Sequence, residues 1–425
     1  MRTQAHKTRL VIHKGTSEIG GTCIELSRGE GTLLLDIGLP LAEGSVPVDL
    51  KNIKPQAVVV SHPHQDHYGL IETLDHGVPV FMGELSRNLI EAARLFRHEE
   101  PLENNFKYFK AWVPFQACGF TITPYLVDHS AADAYAFLVE DGEHRLFYSG
   151  DFRAHGRKSI LFEKIVSDPL KDIDVLVMEG SMLNRDNGSF PSEVAVEQEI
   201  GRILKRQKTL SFLIASAQNI DRVVSAFKAC RDNGKTLVVD VYGAWVLEQL
   251  KLVSENVPNI SWPEVGVYVQ CSQYETVKEN RAFFGKFARD IFHGDCRVTL
   301  EMLEAEAEMF LFMTRLSGWR FIRSGLGTDD IHFTPLIYSQ WLGYLEEANW
   351  TNYGAQEMAA LRDDSHVQFV YAHTSGHATV VDLETFAAAL APRMLVPIHT
   401  EFHDEYGEHF DNVMMLEDEE KLVLP

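Results

Sequence analysis

The chain has 425 residues, with 39 Lys and Arg against 61 Asp and Glu and a formal charge of −22. That length can bury one large or two ordinary cores, and the acidic balance argues against a protein that grips polyanions over a broad basic surface, so any hold on a nucleic acid has to be local. No run approaches the ~18–20 uninterrupted apolar residues of a membrane span, and the opening Met1–Arg9 lacks the apolar centre of a signal peptide, so a cytoplasmic protein without membrane contact is expected.

Taken in chain order, the first strong signal is His62-Pro63-His64-Gln65-Asp66-His67, which follows a buried-looking strand at Ala57–Ser61. Residues two apart in an extended segment point the same way, so His62 and His64 can grip one ion. Asp66 and His67, past the turn, are free to face a second. Nitrogen and carboxylate donors without cysteine suit zinc, with manganese or iron as substitutes, and an open coordination position would hold a water. This is the donor set of a two-metal hydrolase. Two later strands end in further donors: Leu126-Val127-Asp128-His129-Ser130, and Leu146-Phe147-Tyr148-Ser149-Gly150-Asp151. A carboxylate such as Asp151 can bridge two cations, which imidazole cannot, and Gly150 permits close backbone approach.

In this order the residues resemble the metallo-β-lactamase superfamily. Its opening is also present, as Glu18–Leu26 followed by Leu33–Gly38, two short strands with an Asp-x-Gly ahead of the metal loop. The resemblance implies that His62, His64 and His129 hold one zinc and Asp66 and His67 the other, with Asp151 bridging. Further along stand Glu179, the run Tyr371-Ala372-His373-Thr374-Ser375-Gly376-His377-Ala378, and the apolar strand Met394–Ile398 ending in His399. An acidic residue, a Ser-Gly-His-Ala and a Pro-Ile-His in this sequence resemble the β-CASP subgroup, which contains ribonuclease J-like and polyadenylation-endonuclease-like RNA-processing nucleases. By that resemblance His399 completes the second metal site, His377 approaches the scissile group as general acid, and Glu179 orients or charges a neighbouring histidine. Ser375 and Gly376 are tentative contacts to a substrate phosphate. Histidine at the last motif favours RNA over DNA, again by resemblance alone.

The expected fold is α/β: a metallo-β-lactamase αββα sandwich over residues 1–190, an inserted α/β β-CASP cap over 191–365, and a return segment over 366–425. Pro191-Ser192-Glu193 predicts a helix start, with serine capping free amides and glutamate at the positive end. Ile220, Val223, Val224, Phe227 and Cys230 repeat at helical spacing up to Gly234. Flanking strands at Leu210–Ala215 and Leu237–Val241 make this a βαβ unit. Ser216, Ala217, Gln218 and Asn219 sit where helix-terminal amides favour an anion, although a capping turn is the ordinary reading. Val367–Tyr371 and Met394–Ile398, around a helix through Val381–Leu390, are expected to return the chain to the first domain. The sequence stops soon after His399, so no counterpart of the C-terminal assembly domain of ribonuclease J is expected.

Arg153, Arg157 and Lys158 follow Asp151 and are candidate phosphate contacts in an acidic chain, whereas the run Arg202–Lys208 reads as the solvated face of a helix. The cysteines Cys23, Cys118, Cys230, Cys271 and Cys296 are never in a CxxC, so they read as small reduced residues rather than a disulfide framework or a zinc site. The function these observations predict is a two-metal ribonuclease that hydrolyses phosphodiester bonds through a metal-bound hydroxide, leaving a 5′-phosphate and a 3′-hydroxyl. A small-molecule metallohydrolase of lactonase or thioesterase type and a non-catalytic scaffold of an RNA-processing complex are the alternatives.

Overall fold

Alternation between a buried and a covered face organises the first strands in a computed structural model that describes residues 7–42, 44–185, 187–326, 335–347 and 354–424. In Arg9–Lys14, Leu10 and Ile12 point inward, where Ile24, Leu26, Leu33 and Leu35 join them. Facing them across the same core are Phe120, Ile122, Phe137, Val139, Val177 and Val396. This period of two is what a sandwich of two sheets requires.

Among the described residues the first sheet has seven strands. Its spatial order is Lys421–Val423, Arg9–Lys14, Cys23–Arg28, Gly31–Leu35, Ala57–Val59, Pro79–Met82 and Asn105–Tyr108. The second has six, in the order Met394–Ile398, Val175–Glu179, Arg145–Tyr148, Tyr135–Glu140, Phe120–Leu126 and Phe115–Ala117. Helices Ser159–Ser167 and Val380–Leu390 cover its outer face through Phe162, Ile165, Leu383 and Phe386. At a typical ~1.5–3 kcal/mol for each fully buried large apolar side chain, these layers dominate the stability of the unit.

The third sheet is wholly parallel: Arg297–Val298, Val265–Tyr268, Thr236–Asp240, Phe310–Thr314, Ser211–Ile214, Leu336–Tyr338 and Phe369–Tyr371. Its strands read as continuous apolar runs because helices flank it on both sides. The helix start at Ser192 is present, with its hydroxyl accepting from Ala195 N, and Asn219 caps helix Ile220–Asp232 by accepting from Arg222 N. Ser216–Asn219 therefore form a capping turn. Arg202 pairs with Glu199 on an exposed helix face. Inside this unit Arg222 is fully buried and its guanidinium contacts both carboxylate oxygens of Glu193, Ser339 and the Thr374 carbonyl.

The chain divides into two compact units, one of Met1–Arg87, Leu102–Asn187 and Gly376–Pro425, the other of Asn88–Pro101 and Gly188–Ser375. Two boundaries differ from those expected. Val367–Tyr371 does not rejoin the first unit, because Phe369–Tyr371 adds a parallel edge strand to Leu336–Tyr338 of the third sheet. Asn88–Pro101 also belongs with the second unit, and no turn or composition signal marks that short excursion. Within the expected cap, residues 327–334 and 348–353 lie outside the described residues, as do 1–6 at the start.

Candidate metal centre

Every donor in the centre comes from a residue at or just beyond a strand's carboxyl end, and all of them belong to the first unit. After Ala57–Val59 the chain passes through His62 and His64 and enters a short helix, Gln65–Tyr68, that carries Asp66 and His67. His129 follows Phe120–Leu126, Asp151 follows Arg145–Tyr148, Glu179 ends its strand, and His399 follows Met394–Ile398.

Three imidazole nitrogens converge on one point. His64 Nδ1 lies 3.1 Å from His62 Nε2 and 3.3 Å from His129 Nε2. A second group is formed by Asp66, His67 and His399, with Asp66 Oδ2 at 3.7 Å from His67 Nε2 and 3.6 Å from His399 Nε2. Asp151 lies between the groups. Its Oδ2 is 3.2 Å from His67, 3.7 Å from His62 and His399, and 4.0 Å from His129.

These residues fit a pair of metal ions. Among the described residues His67 Nε2, His399 Nε2 and Asp151 Oδ1 are buried without a hydrogen-bond partner. Leaving buried polar atoms unpaired costs ~1–3 kcal/mol each, and three in one pocket call for cations. Burial also holds His62, His64, His129 and His399 below the usual imidazole range, which keeps their lone pairs free to coordinate. At Asp151, burial opposes the charge, but the imidazoles of His399, His67 and His377 outweigh it and hold the carboxyl well below its ordinary range.

The far nitrogens are fixed by neighbours. His67 Nδ1 lies 2.8 Å from Asp36 Oδ2, an oxygen that also accepts from Ser61 Oγ and Tyr148 OH. His129 Nδ1 is 2.7 Å from the Gly376 carbonyl, and His399 Nδ1 is 2.9 Å from Thr22 Oγ1. Such contacts set ring orientation and tautomer. Sequence reasoning noted Asp36 within an Asp-x-Gly but gave it no task, and it missed Thr22, Ser61 and Tyr148 altogether. Asp36→Asn is expected to weaken metal affinity by ~10–100-fold, read by a chelator competition titration.

Backbone geometry holds the donors in place. His399 has φ of +53°, a left-handed conformation rare outside glycine, which turns its side chain from the strand into the centre. Its N–H donates to the Gly15 carbonyl at 2.7 Å. At Gly150, φ is +52° and a Cβ would stand 2.5 Å from the Tyr135 carbonyl oxygen, so only glycine can precede Asp151 there.

Beside the metal donors, His377 Nδ1 is 3.0 Å from Glu179 Oε2 and 3.7 Å from Asp151 Oδ2. Burial works against its cation, but Glu179 and Asp151 prevail and its pKa is raised to about 9. Glu179 is fixed in turn by the N–H groups of Phe152 at 2.9 Å and Ser181 at 3.3 Å.

Not every candidate lands in the centre. Arg153 is fully buried and pairs with Asp128 at 3.4 Å, so it is a structural cation and not a surface phosphate contact. Lys158 donates to the carbonyls of His129 and Ala131, bracing the loop that carries His129. The carbonyl of Gly376 is committed to His129, while Ser375 belongs to the second unit.

A family model for the β-lactamase superfamily domain matches residues 36–213, which carry the two histidine stations, Asp151 and Glu179. Ribonuclease J of Mycoplasma genitalium is 22% identical over 434 residues, spanning 93% of this chain and 68% of that protein. Residues 36–213 thus match a β-lactamase superfamily domain, and most of the chain is similar to ribonuclease J. An RNase J-like protein of Methanocaldococcus jannaschii is 26% identical over 252 residues, covering 55% of this chain and 57% of its own length. The fold has a solved counterpart in a protein of unknown function from Enterococcus faecalis V583, at a TM-score of 0.77 and 20% identity over 98% of this chain and 100% of that one. The sandwich of two mixed sheets with a further α/β unit is thus an architecture shared with a solved protein. Among the described residues no helix is long and apolar enough to cross a membrane.

Proposed function

We propose that this chain is a two-metal ribonuclease of cytoplasmic location that hydrolyses the phosphodiester bonds of RNA to a 5′-phosphate and a 3′-hydroxyl. The observation that carries this reading is the convergence of two donor groups on Asp151 with a histidine, His377, held against the same carboxylate by Glu179. The names of the ribonuclease J relatives support the substrate class.

His62, His64 and His129 would hold one ion, Asp66, His67 and His399 the other, and Asp151 both. Zinc suits these donors, with manganese or iron as substitutes. Bound there, two dications acidify a water and polarise the phosphoryl oxygen of an in-line displacement. Asp66, at the mouth of the second group, orients the attacking water by hydrogen bonding. His377 has its Nδ1 engaged by Glu179 and would deliver a proton from Nε2 to the leaving 3′ oxygen as the phosphorus–oxygen bond breaks. Glu179 keeps the imidazole oriented and favours its charged form. The N–H groups of Ser375 and Gly376 are candidate phosphate donors.

The test offers matched single-stranded RNA and DNA beside lactone and thioester substrates, with zinc or manganese supplied. End labels with 5′-phosphate, 5′-triphosphate or 5′-hydroxyl distinguish attack at an end from attack within the strand. Preferential hydrolysis of RNA is expected. Robust ester turnover with inert RNA would overturn the reading in favour of a small-molecule metallohydrolase.

A further inference from the structure

The edge strand Asn105–Tyr108 and the turn after it expose side chains that a soluble surface rarely leaves in water together. Tyr108 is 51% exposed, Trp112 53% and Val113 53%, with exposed Lys107 and Lys110 interleaved among them. Among the described residues the strand pairs on one side only, with Pro79–Met82. Lysine on an open sheet edge discourages edge-to-edge pairing, but exposed tyrosine and tryptophan do the opposite, so protection of the edge does not explain the set.

The turn is also held rigidly. Phe109 is buried between the rings of Phe115 and Tyr135, Phe109 N donates to the Met82 carbonyl at 3.3 Å, and Trp112 N donates to the Pro124 carbonyl at 2.7 Å. Trp112 sits at φ of +61°, in the left-handed region, with its side chain half exposed. Rings carried on a backbone that is already held in place lose less entropy when a partner stacks on them than rings on a loose loop.

Its place in the sandwich relates it to the metal centre. Ala57–Val59, Pro79–Met82 and Asn105–Tyr108 run parallel, and the first of them leads into the His62 loop. Tyr108 therefore ends its strand on the same rim as the metal donors, displaced by two strand spacings, on the order of 10 Å.

We propose that Lys107, Tyr108, Lys110 and Trp112 form an exosite for single-stranded nucleic acid, where bases stack on the exposed rings and the lysines meet backbone phosphates. The inference rests on the polynucleotide reading of the metal centre. Charge selects the occupant: among the described residues neither Lys107 nor Lys110 is in an ion pair, whereas Arg28, Arg202, Lys251, Lys278 and Arg323 are each tied to carboxylates. In a chain of net charge −22, two exposed cations outside any ion pair, one on each side of Tyr108 in sequence and close to Trp112, are a local attractor for a polyanion with stackable faces.

Oligouridylate, which lacks stable structure, and bis(p-nitrophenyl) phosphate, which is too small to reach the rim, are offered to the full chain and its variants. In Trp112→Ala the ratio of kcat/KM for oligouridylate to that for the small diester should fall about 10-fold, carried by KM, and Trp112→Phe should restore most of it. Lys107→Ala with Lys110→Ala should lower the salt dependence of oligouridylate binding, the slope of log K against log salt shrinking by about 1.4. An unchanged ratio in Trp112→Ala with active parent overturns the exosite and leaves the ribonuclease reading standing. Inert RNA in the parent defeats that reading instead, and the exosite is then judged by fluorescence anisotropy of labelled oligouridylate, where equal binding by parent and Trp112→Ala overturns it. Conversion of a parent dimer to monomer by Trp112→Ala in light scattering would also overturn it, as a face for a second copy.

Discussion

Asp151→Asn is expected to cost the protein at least one bound metal ion per chain and to reduce hydrolysis far beyond the ~10–100-fold that follows loss of an outer hydrogen-bond partner. The carboxylate stands within 4.0 Å of His62, His67, His129, His377 and His399 through a single oxygen, and its second oxygen is buried without a partner. An amide keeps the shape but surrenders the charge that compensates two dications, and turns an N–H₂ toward imidazoles or ions. Elemental analysis alongside turnover checks this. Full metal content with full activity in Asp151→Asn would remove Asp151 from the centre and take the two-ion arrangement with it.

His377→Ala should behave differently: both ions retained, RNA still bound, and kcat lowered by ~10²–10⁴, the range for loss of a general acid. The distinction is sharp because His129, Asp151 and His377 themselves form a group that could hold a cation. Loss of metal in His377→Ala would therefore make His377 a ligand and not the proton donor. Glu179→Gln should lower kcat in the same sense but less, since Glu179 reaches the reaction only through the imidazole 3.0 Å away.

The side chains that converge were readable from the sequence because each follows an apolar run that ends abruptly in His or Asp, so spacing and residue type carried the message without knowledge of the fold. The outer partners carry no such mark. Asp36 meets His67 across 31 positions and Thr22 meets His399 across 377, contacts that exist only once the strands are side by side. Arg153 was misread for the opposite reason. A cation two residues past a ligand suggests a surface contact, and only the placement of Asp128 shows that the charge is neutralised inside the protein. A capping serine marked the start of Glu193–Leu204 and apolar periodicity located Ile220–Asp232, but neither could say to which sheet Phe369–Tyr371 would add, because an edge strand in either sheet has the same short apolar pattern.

The strand that delivers His399 and the strand Lys421–Val423 that closes the first sheet are made long after His62, His64, Asp66, His67, His129 and Asp151. A ribosome that has reached the middle of the chain thus has six donors in hand and no means to complete the second group. The second donor group is therefore assembled only after His399 has been made, and a chain cut short before His399 keeps Asp66 and His67 without their third partner.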